Sequence, residues 1–321
     1  MMIGHSLLAF ALVATVARAL DASPGRALAA GAAAGAFAAV PDMDMVYALT
    51  GFAGAEFDGV FSMTTAFWSA STVVHRSMTH SLVVAPVAAL AFALVVVQGR
   101  HASRATVGGF ALLGGLTVVA TTLHGLLGLV VLGAFSLAGV AVAAIVRESS
   151  QLDARTTFAV AVVGLASHPF GDLFTGEPPA MLWPLDAAIF PGRVLLSADP
   201  TLHLLGAFAL ELAVVWAALL AFCWVTDRRP RVKPRATAGL AYGGVFFLLP
   251  PPTLDVSYHF VFSILAVGTV LAMPVAAPTR TSMAVETVRR GVAAHGVRSV
   301  TTGLAAVTLA LVAYGGLYLL V

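Results

Sequence analysis

Long apolar runs alternate with short polar segments along most of the chain. Runs of about 17–25 apolar residues are long enough to cross a bilayer as helices, and the sequence offers about ten of them. The second and the eighth are short for a crossing. The predicted helices cover residues 3–20, 26–40, 80–98, 105–121, 124–146, 155–172, 201–226, 236–250, 256–277 and 299–320.

Two of these runs allow more than one interpretation. The stretch 105–146 could form one broken helix, but its 42 residues exceed a single crossing. Because Thr121, Thr122 and Gly125 suit a tight turn, we predict two helices there. The N-terminal run has no basic residue before its apolar core and no small-residue cleavage site before Asp21. We therefore expect a retained helix and not a signal peptide.

Composition is typical of a membrane protein. Hydrophobic residues make up 60% of the chain and charged residues 10%, and the mean hydropathy is +0.96; soluble domains are roughly 45–50% apolar and about 25% charged. The net charge of +2 is too small to indicate a nucleic acid partner. The single cysteine, Cys223, excludes a disulfide framework and a thiolate zinc cluster. The predicted fold is an all-α, polytopic transmembrane helix bundle of the cell membrane.

The basic residues predict the orientation of the helices, because cytoplasmic loops are enriched in Lys and Arg. With the N-terminus outside, 15 of the 17 basic residues fall on the inner side, and the exceptions are Arg76 and Arg193. An arrangement of about ten spanning helices then places both termini outside.

The same arrangement gathers histidines near the outer face. Ionisable groups are costly at membrane depth, so their recurrence at one level indicates a site. The alternative for His124, His203 and His259 is an interfacial position favoured by their amphipathic rings. Seven of the nine histidines fall on this side, and they are His5, His75, His80, His124, His168, His203 and His259.

Two segments before the third predicted helix carry candidate ligands. HRSMTHS runs from His75 to Ser81, and its two imidazoles can approach one centre if the first lies in a turn before the helix. Asp42 and Asp44 lie in PDMD, on a predicted loop that begins at Pro41. Carboxylates two residues apart point in different directions, so we expect one to bind a metal and the other to orient a histidine.

A third segment, SHPFGDLFTG, places His168 and Asp172 four residues apart, on one face of a regular helix. Pro169 weakens that expectation because a proline inside a helix removes a hydrogen bond and usually causes a kink. Imidazole and carboxylate ligands together suit Zn²⁺ best, with Mn²⁺ or Fe²⁺ as alternatives. The three segments together therefore predict a metal site.

PDMD, HRSMTHSL and SHPFGDLFT, followed by MLWPL, resemble the YdjM-like group of bacterial and archaeal membrane-bound metal-dependent hydrolases. The resemblance covers about residues 1–205, so we predict a hydrolase-like membrane domain at 1–205 and additional helices of the same bundle at 206–321. Pro169 and Gly171 depart from the apolar residues more usual in the family. Asp199, in ADPTLHLL, resembles a further DP element. The other matching positions are His5, Asp42, Asp44, His75, Arg76, Thr79, His80, Ser81, His168 and Asp172.

The resemblance, and a more distant similarity to zinc-dependent phospholipase C, implies a set of metal ligands. One Zn²⁺ ion would be bound by Asp44, His80, His168 and Asp172. A second ion, as an alternative to a single one, would be bound by His5, His75, Asp199 and His203.

The implied function is a metal-dependent hydrolase that acts on an ester or phosphoester, including a lipid-borne one, at the outer face. Asp42 is the candidate general base, or a partner that orients a ligand. Arg76 would bind a phosphoryl oxygen with its planar guanidinium, and the alternative is a salt bridge to Asp42 or Asp44. The expected partners are membrane lipids and a small-molecule or lipid substrate, and the oligomeric state is left open.

Two other classes of protein remain open. A transporter also places ionisable residues inside a bundle, although it more often breaks its helices near the midplane. A non-catalytic scaffold stabilised by zinc would fill every metal position with side chains, whereas an open position favours catalysis.

Overall fold

The computed structural model describes residues 2–54, 59–71, 75–254, 257–273 and 285–321. Over these residues the regular structure consists of α-helices and 3-10 helices, without a strand. The chain divides into two compact units, Met1–Val194 and Leu195–Val321. Arg280 and residues 274–277 of a predicted helix lie outside the described residues.

The first unit carries the three predicted motif segments. Its α-helices are α1 (Met2–Ala19), α2 (Pro24–Ala38), α3 (Val60–Ser71), α4 (Val84–Val96), α5 (Ala102–Ser149) and α6 (Ala154–Gly171), and its 3-10 helices are η1 (Pro41–Gly54), η2 (Met78–His80) and η3 (Asp172–Phe174).

Close packing of small residues brings α1, α2 and α6 together. A Cβ atom on Gly35 of α2 would lie 2.8 Å from the carbonyl oxygen of Ser6 in α1. A Cβ atom on Gly164 of α6 would lie 2.5 Å from the carbonyl oxygen of Ala34 in α2. Small residues allow helix backbones to approach in this way within a membrane bundle. His5, beside Ser6, is thereby held near the end of α6.

Helix α5 is a hairpin of two helical arms. Gly125 has φ 60° and ψ −142°, which lies outside the helical region. Glycine adopts this conformation more easily than other residues because it has no Cβ atom. A Cβ atom on Gly128 would lie 2.1 Å from the carbonyl oxygen of Ala120, although residues eight apart in a straight helix are separated by about 12 Å. The chain therefore reverses at Gly125, which confirms the prediction of two helices in this stretch.

The second unit has its own apolar core. Phe260, Ile264 and Tyr314 are buried there, and Asp199 caps the first helix by accepting a hydrogen bond from the Leu202 amide. Its elements are α7 (Pro200–Val225), η4 (Pro234–Phe247), α8 (Tyr258–Ala272) and α9 (Val285–Leu320).

Among the residues that the structure describes, four helices are long and apolar enough to cross a membrane: Ala102–Ser149, Ala154–Phe174, Pro200–Val225 and Gly296–Leu320. Three shorter apolar helices are Ile3–Ala19, Val84–Val96 and Tyr258–Ala272. These findings confirm the helical class and the presence of membrane-type helices, and they do not confirm the number ten.

The predicted loop at PDMD is wrong, because η1 begins at Pro41. Proline fits the first position of a helix, where its missing N–H group has no partner to lose. Successive residues of a 3-10 helix differ by about 120° in direction, so Asp42 and Asp44 still point different ways, as expected. Helix α3 was not predicted, and the segment predicted to cross at 236–250 is a 3-10 helix over residues 234–247.

Candidate metal centre

The last turn of α6 positions two of the predicted ligands. His168 Nε2 and Asp172 Oδ2 are 3.7 Å apart on one face of the helix. The helix continues through Pro169, which therefore does not separate the pair. The Nδ1 atom of His168 lies 2.6 Å from the carbonyl oxygen of Ala38 at the end of α2. Because a carbonyl only accepts, Nδ1 carries a proton, and in the neutral form of the ring the lone pair of Nε2 faces the centre.

The short helix η2 positions His80. Its Nδ1 atom lies 2.9 Å from the hydroxyl oxygen of Thr79, and that hydroxyl lies 2.9 Å from Asp44 Oδ2. The Nε2 atom of His80 is on the opposite side of the ring, 3.0 Å from His168 Nε2. A proton on one of these two Nε2 atoms would make an N–H···N hydrogen bond at this separation, whereas rings protonated only at Nδ1 turn two lone pairs towards each other, and a cation between them would bind both.

Four atoms converge in this space. His80 Nε2 lies 3.2 Å from Asp172 Oδ2, and His168 Nε2 lies 3.3 Å from Asp42 Oδ1. Two further separations are 3.7 Å from His168 Nε2 to Asp172 Oδ2 and 3.9 Å from His80 Nε2 to Asp42 Oδ1. Zinc–ligand bonds of 2.0–2.2 Å give a tetrahedron whose edges are about 3.4 Å. These separations therefore fit a metal ion of zinc size.

The carboxylates leave negative charge that the described side chains do not balance. Both oxygens of Asp42 and the Oδ2 atom of Asp172 are buried without a hydrogen-bond donor. Asp44 adds a third carboxylate, and Arg76 is the one guanidinium paired with them in the described part. With neutral histidines, two negative charges remain, which a divalent cation would balance. Buried charges need this kind of compensation.

Burial and neighbouring rings act in opposite directions on Asp42. Burial would raise the pKa of its carboxyl group, but a hydrogen bond from protonated His168 and the positive charges of protonated His168 and His80 hold that pKa below its usual range. Asp42 is therefore an anion when these rings carry protons, and a cation bound in their place would keep it ionised for the same electrostatic reason.

His5 approaches the centre from α1. Its Nε2 atom lies 3.2 Å from Asp172 Oδ1, and its ring is 4.0 Å from that of His168. Gly171 makes the approach possible, because a Cβ atom there would lie 2.3 Å from His5 Nδ1. Gly171, which departs from the family pattern, therefore leaves the space that the ring of His5 occupies.

Arg76 lies at the edge of the centre in a left-handed conformation, with φ 68°. Its guanidinium donates to the carbonyl oxygen of Glu177 at 3.0 Å and to the hydroxyl of Thr175 at 2.8 Å. It also lies 3.4 Å from Asp172 Oδ1. Its ion-pair partner is therefore Asp172. The predicted alternative was a salt bridge to Asp42 or Asp44, which differs from this pairing.

His75 lies in the turn before η2 and contacts the other oxygen of Asp44, with 3.0 Å between Nδ1 and Oδ1. Its ring meets that of His80 edge to face at 5.2 Å. The two histidines of HRSMTHS therefore approach one region in the way expected. Asp44, however, faces the Nδ1 side of His80 at 3.5 Å, away from the converging Nε2 atoms.

The structure thus brings eight of the ten predicted site residues into one cluster. Asp199 and His203, the other two, belong to the second unit, where Asp199 caps α7 and accepts from the Tyr318 hydroxyl at 2.9 Å. His203 Nδ1 accepts from the Leu196 amide at 3.1 Å. The eight are His5, Asp42, Asp44, His75, Arg76, His80, His168 and Asp172.

Two contacts of the centre had no role in the sequence prediction. Thr79 stands in the family motif, yet its hydroxyl bridge between Asp44 and His80 is visible only in the structure. The carbonyl of Ala38 is a main-chain group, so the residue type carries no signal for it. The threonine beside a predicted histidine ligand was the available sequence signal.

The model of a family described as "YdjM inner membrane protein" matches residues 1–241. No curated protein and no solved structure matches the chain. The matched region includes all three motif segments and extends into the second unit.

Proposed function

This chain belongs to the YdjM inner membrane protein family, and we propose that it is a metal-dependent hydrolase. It is an integral membrane protein, with apolar helices of membrane-spanning length and a buried His/Asp cluster that could hold a metal ion. The proposal is that this cluster, with a metal ion bound, catalyses hydrolysis.

The observation that carries the proposal is the donor set. His80, His168 and Asp172 present three atoms with separations of 3.0, 3.2 and 3.7 Å. Two imidazoles and a carboxylate are typical of catalytic zinc sites, which keep a fourth position open, whereas structural sites are usually rich in cysteine. Asp42 Oδ1 lies next to this fourth position, 3.3 Å from His168 Nε2, and neither oxygen of Asp42 has a hydrogen-bond donor.

We propose a single ion, Zn²⁺ in preference to Mn²⁺ or Fe²⁺. The Nδ1 atoms of His80 and His168 are engaged by Thr79 and Ala38, so each ring offers Nε2 alone. Two of the three possible metal groups include His168 and can use its Nε2 atom, whereas the third contains Asp44, which lies on the Nδ1 side of His80 that Thr79 occupies. A second ion bound by Asp199 and His203 stays a prediction. The contacts of these two residues, with Leu202, Tyr318 and Leu196, lie in the second unit and do not support it.

Each residue has its own role in the proposed hydrolysis. A bound Zn²⁺ ion, held by His80, His168 and Asp172, would supply a water whose pKa is lowered from that of bulk water to about 7. Asp42, an anion beside the open position, accepts the proton from the attacking water. Asp44 acts on the orientation of His80 in place of the ligand role expected for it, whereas Asp42 keeps its expected role as general base. Arg76, held by Thr175 and Glu177, would bind a phosphoryl oxygen at the edge of the centre.

The proposed substrate is an ester or phosphoester, including one carried by a lipid, at the outer membrane face. This location follows from the proposed topology of about ten crossings with both termini outside, in which the basic loops are cytoplasmic. The division of the chain at residue 205 into a hydrolase-like domain and additional helices is part of the same proposal.

A structural metal site is the second candidate, and burial favours it. The side chains of Asp42, His80, His168 and Asp172 are 0–4% exposed, and four protein donors would complete a tetrahedron if Asp42 also bound the ion. The two candidates thus differ in the role of Asp42.

The test compares metal content with turnover in detergent-purified protein. Wild type and Asp42→Asn should each retain about one ion, but Asp42→Asn should lose most of the hydrolysis of phosphodiesters or phospholipid vesicles. His168→Ala should lose both, while His101→Ala, a change at an exposed histidine, should lose neither.

Loss of the ion from Asp42→Asn, without turnover of any ester or phosphoester by wild type, would identify the structural site instead. Metal retained in both His80→Ala and His168→Ala would remove the centre as described.

A further inference from the structure

We propose that Thr79 is a positioning residue of the metal centre, whose hydroxyl holds His80 in the tautomer and orientation that present Nε2 to the ion. The inference rests on the proposed function, because it requires His80 to be a metal ligand. Thr79 would touch neither metal nor substrate and would act through His80.

The hydrogen atoms of this contact can be assigned from its partners. A hydroxyl has one hydrogen to donate, and the Asp44 carboxylate, 2.9 Å away, can only accept. The hydroxyl hydrogen of Thr79 therefore points to Asp44 Oδ2. Its oxygen is left to accept from His80 Nδ1, also at 2.9 Å. With the proton on Nδ1, the neutral ring has its lone pair on Nε2, 3.0 Å from the corresponding atom of His168.

Asp44 does not replace the hydroxyl in this role. The separation of 3.5 Å between Asp44 Oδ2 and His80 Nδ1 is longer than a good N–H···O bond. The other carboxylate oxygen is engaged by His75. The charge of Asp44 therefore reaches His80 through Thr79, and it makes the hydroxyl oxygen a better acceptor.

Burial makes the hydroxyl hard to replace. Thr79 is 3% exposed and His80 is fully buried, so water has no ready access to Nδ1 if the hydroxyl is removed. An unpaired buried donor is destabilising, and the ring would relieve it by turning or by moving its proton to Nε2. Either change removes the lone pair that the metal requires.

The test measures zinc affinity of the purified full chain by competition with a chromogenic chelator. Thr79→Val keeps the shape of the side chain without its hydroxyl and should weaken zinc binding by about 10–100-fold, the range for losing a partner that orients a ligand. Thr79→Ser keeps the hydroxyl and should bind zinc within about 3-fold of wild type, since the orienting bond is preserved.

Thr157→Val is the matched control. Thr157 is also fully buried, near the other end of α6, and its hydroxyl has no hydrogen-bond partner among the described atoms. The control should leave zinc affinity unchanged. A general structural effect of Thr79→Val would lower the melting temperature of zinc-free protein, whereas a positioning role predicts a smaller rise in melting temperature on adding zinc.

Zinc binding by Thr79→Val as tight as that of wild type would overturn the inference and leave the proposed centre intact. If Thr79→Val does not fold, the comparison of Thr79→Ala with Thr79→Ser decides, and equal affinities overturn the inference. A wild-type protein without zinc affinity would instead overturn the proposed function and this inference with it.

Discussion

At the residue scale, uncharged neighbours orient the ionisable side chains of the centre. The carbonyl of Ala38 determines which nitrogen of His168 carries the proton, and the hydroxyl of Thr79 does the same for His80. Gly171 contributes by the absence of a side chain, which leaves room for the ring of His5. Such partners matter to a metal site because they fix the geometry of the ligands before the ion arrives.

Gly171→Ala tests this arrangement. The new Cβ atom would lie 2.3 Å from His5 Nδ1, so the ring must move and its contact with Asp172 Oδ1 should be lost. We expect zinc affinity to fall by about 10-fold or more, as for the loss of a hydrogen bond to a ligating carboxylate. Chelator competition measures the change. Gly133→Ala, with open space around its Cβ position, should bind zinc like wild type, and an equal loss in both variants would contradict the explanation.

Part of the centre could be predicted from residue types alone. His168 and Asp172 were found because a spacing of four places two side chains on one face of a helix. The roles of Asp42 and Asp44 could not be assigned, since their spacing shows that they diverge but not which one faces the two Nε2 atoms. Main-chain partners such as the Ala38 carbonyl leave no pattern in the sequence.

At the element scale, helix α6 begins after its N-cap residue, Asp153, and ends at the metal centre. Asp153 accepts a hydrogen bond from the Thr156 amide at 2.8 Å. This backbone bond, with a smaller effect from nearby Arg155, holds the pKa of Asp153 below its usual range. A carboxylate with a lowered pKa in the folded state stabilises that state above the unfolded value of about 4, and the stabilisation is lost as the pH falls through the folded value.

Asp153→Ala should therefore lower the melting temperature in detergent at pH 7, since losing an N-cap costs about 0.5–2 kcal/mol. The difference from wild type should shrink at an acidic pH below this lowered pKa, where the wild-type carboxyl is protonated. Thermal unfolding at the two pH values measures it. Asp153→Asn, which retains a capping oxygen, should be nearer to wild type at pH 7. A deficit in Asp153→Ala that is equal at both pH values would show that ionisation of the cap has no part in stability.

The helices that the sequence predicted best are those with long apolar runs. Helices α6 and α7 begin within one residue of the predicted starts because a polar cap directly precedes each apolar run. The 12 residues of α3 and the 14 residues of η1 are shorter than a crossing, so a search for membrane-spanning runs passed over them.

At the scale of the whole molecule, the proposed topology predicts opposite sides of the membrane for two exposed loops. In a Cys223→Ser background, Gly192→Cys should react with an impermeant maleimide in right-side-out membrane vesicles. Arg229→Cys should react only after the vesicles are opened, because basic loops stay in the cytoplasm. Both positions are exposed and Cys223 is buried, so the labelling reports the side of the membrane. Labelling of Arg229→Cys in sealed vesicles would show that the predicted orientation is wrong.

The reversal at Gly125 fixes the parity of the topology. A hairpin returns to the side from which it started, and the Arg147 guanidinium near the end of its second arm lies 3.4 Å from the carbonyl oxygen of Val95, shortly before the first arm begins. Whether the hairpin crosses the membrane fully or dips into it, it contributes an even number of passages. Arg104 and Arg147 then face the same compartment whatever the total number of crossings, whereas a straight helix of this length would have placed them on opposite sides.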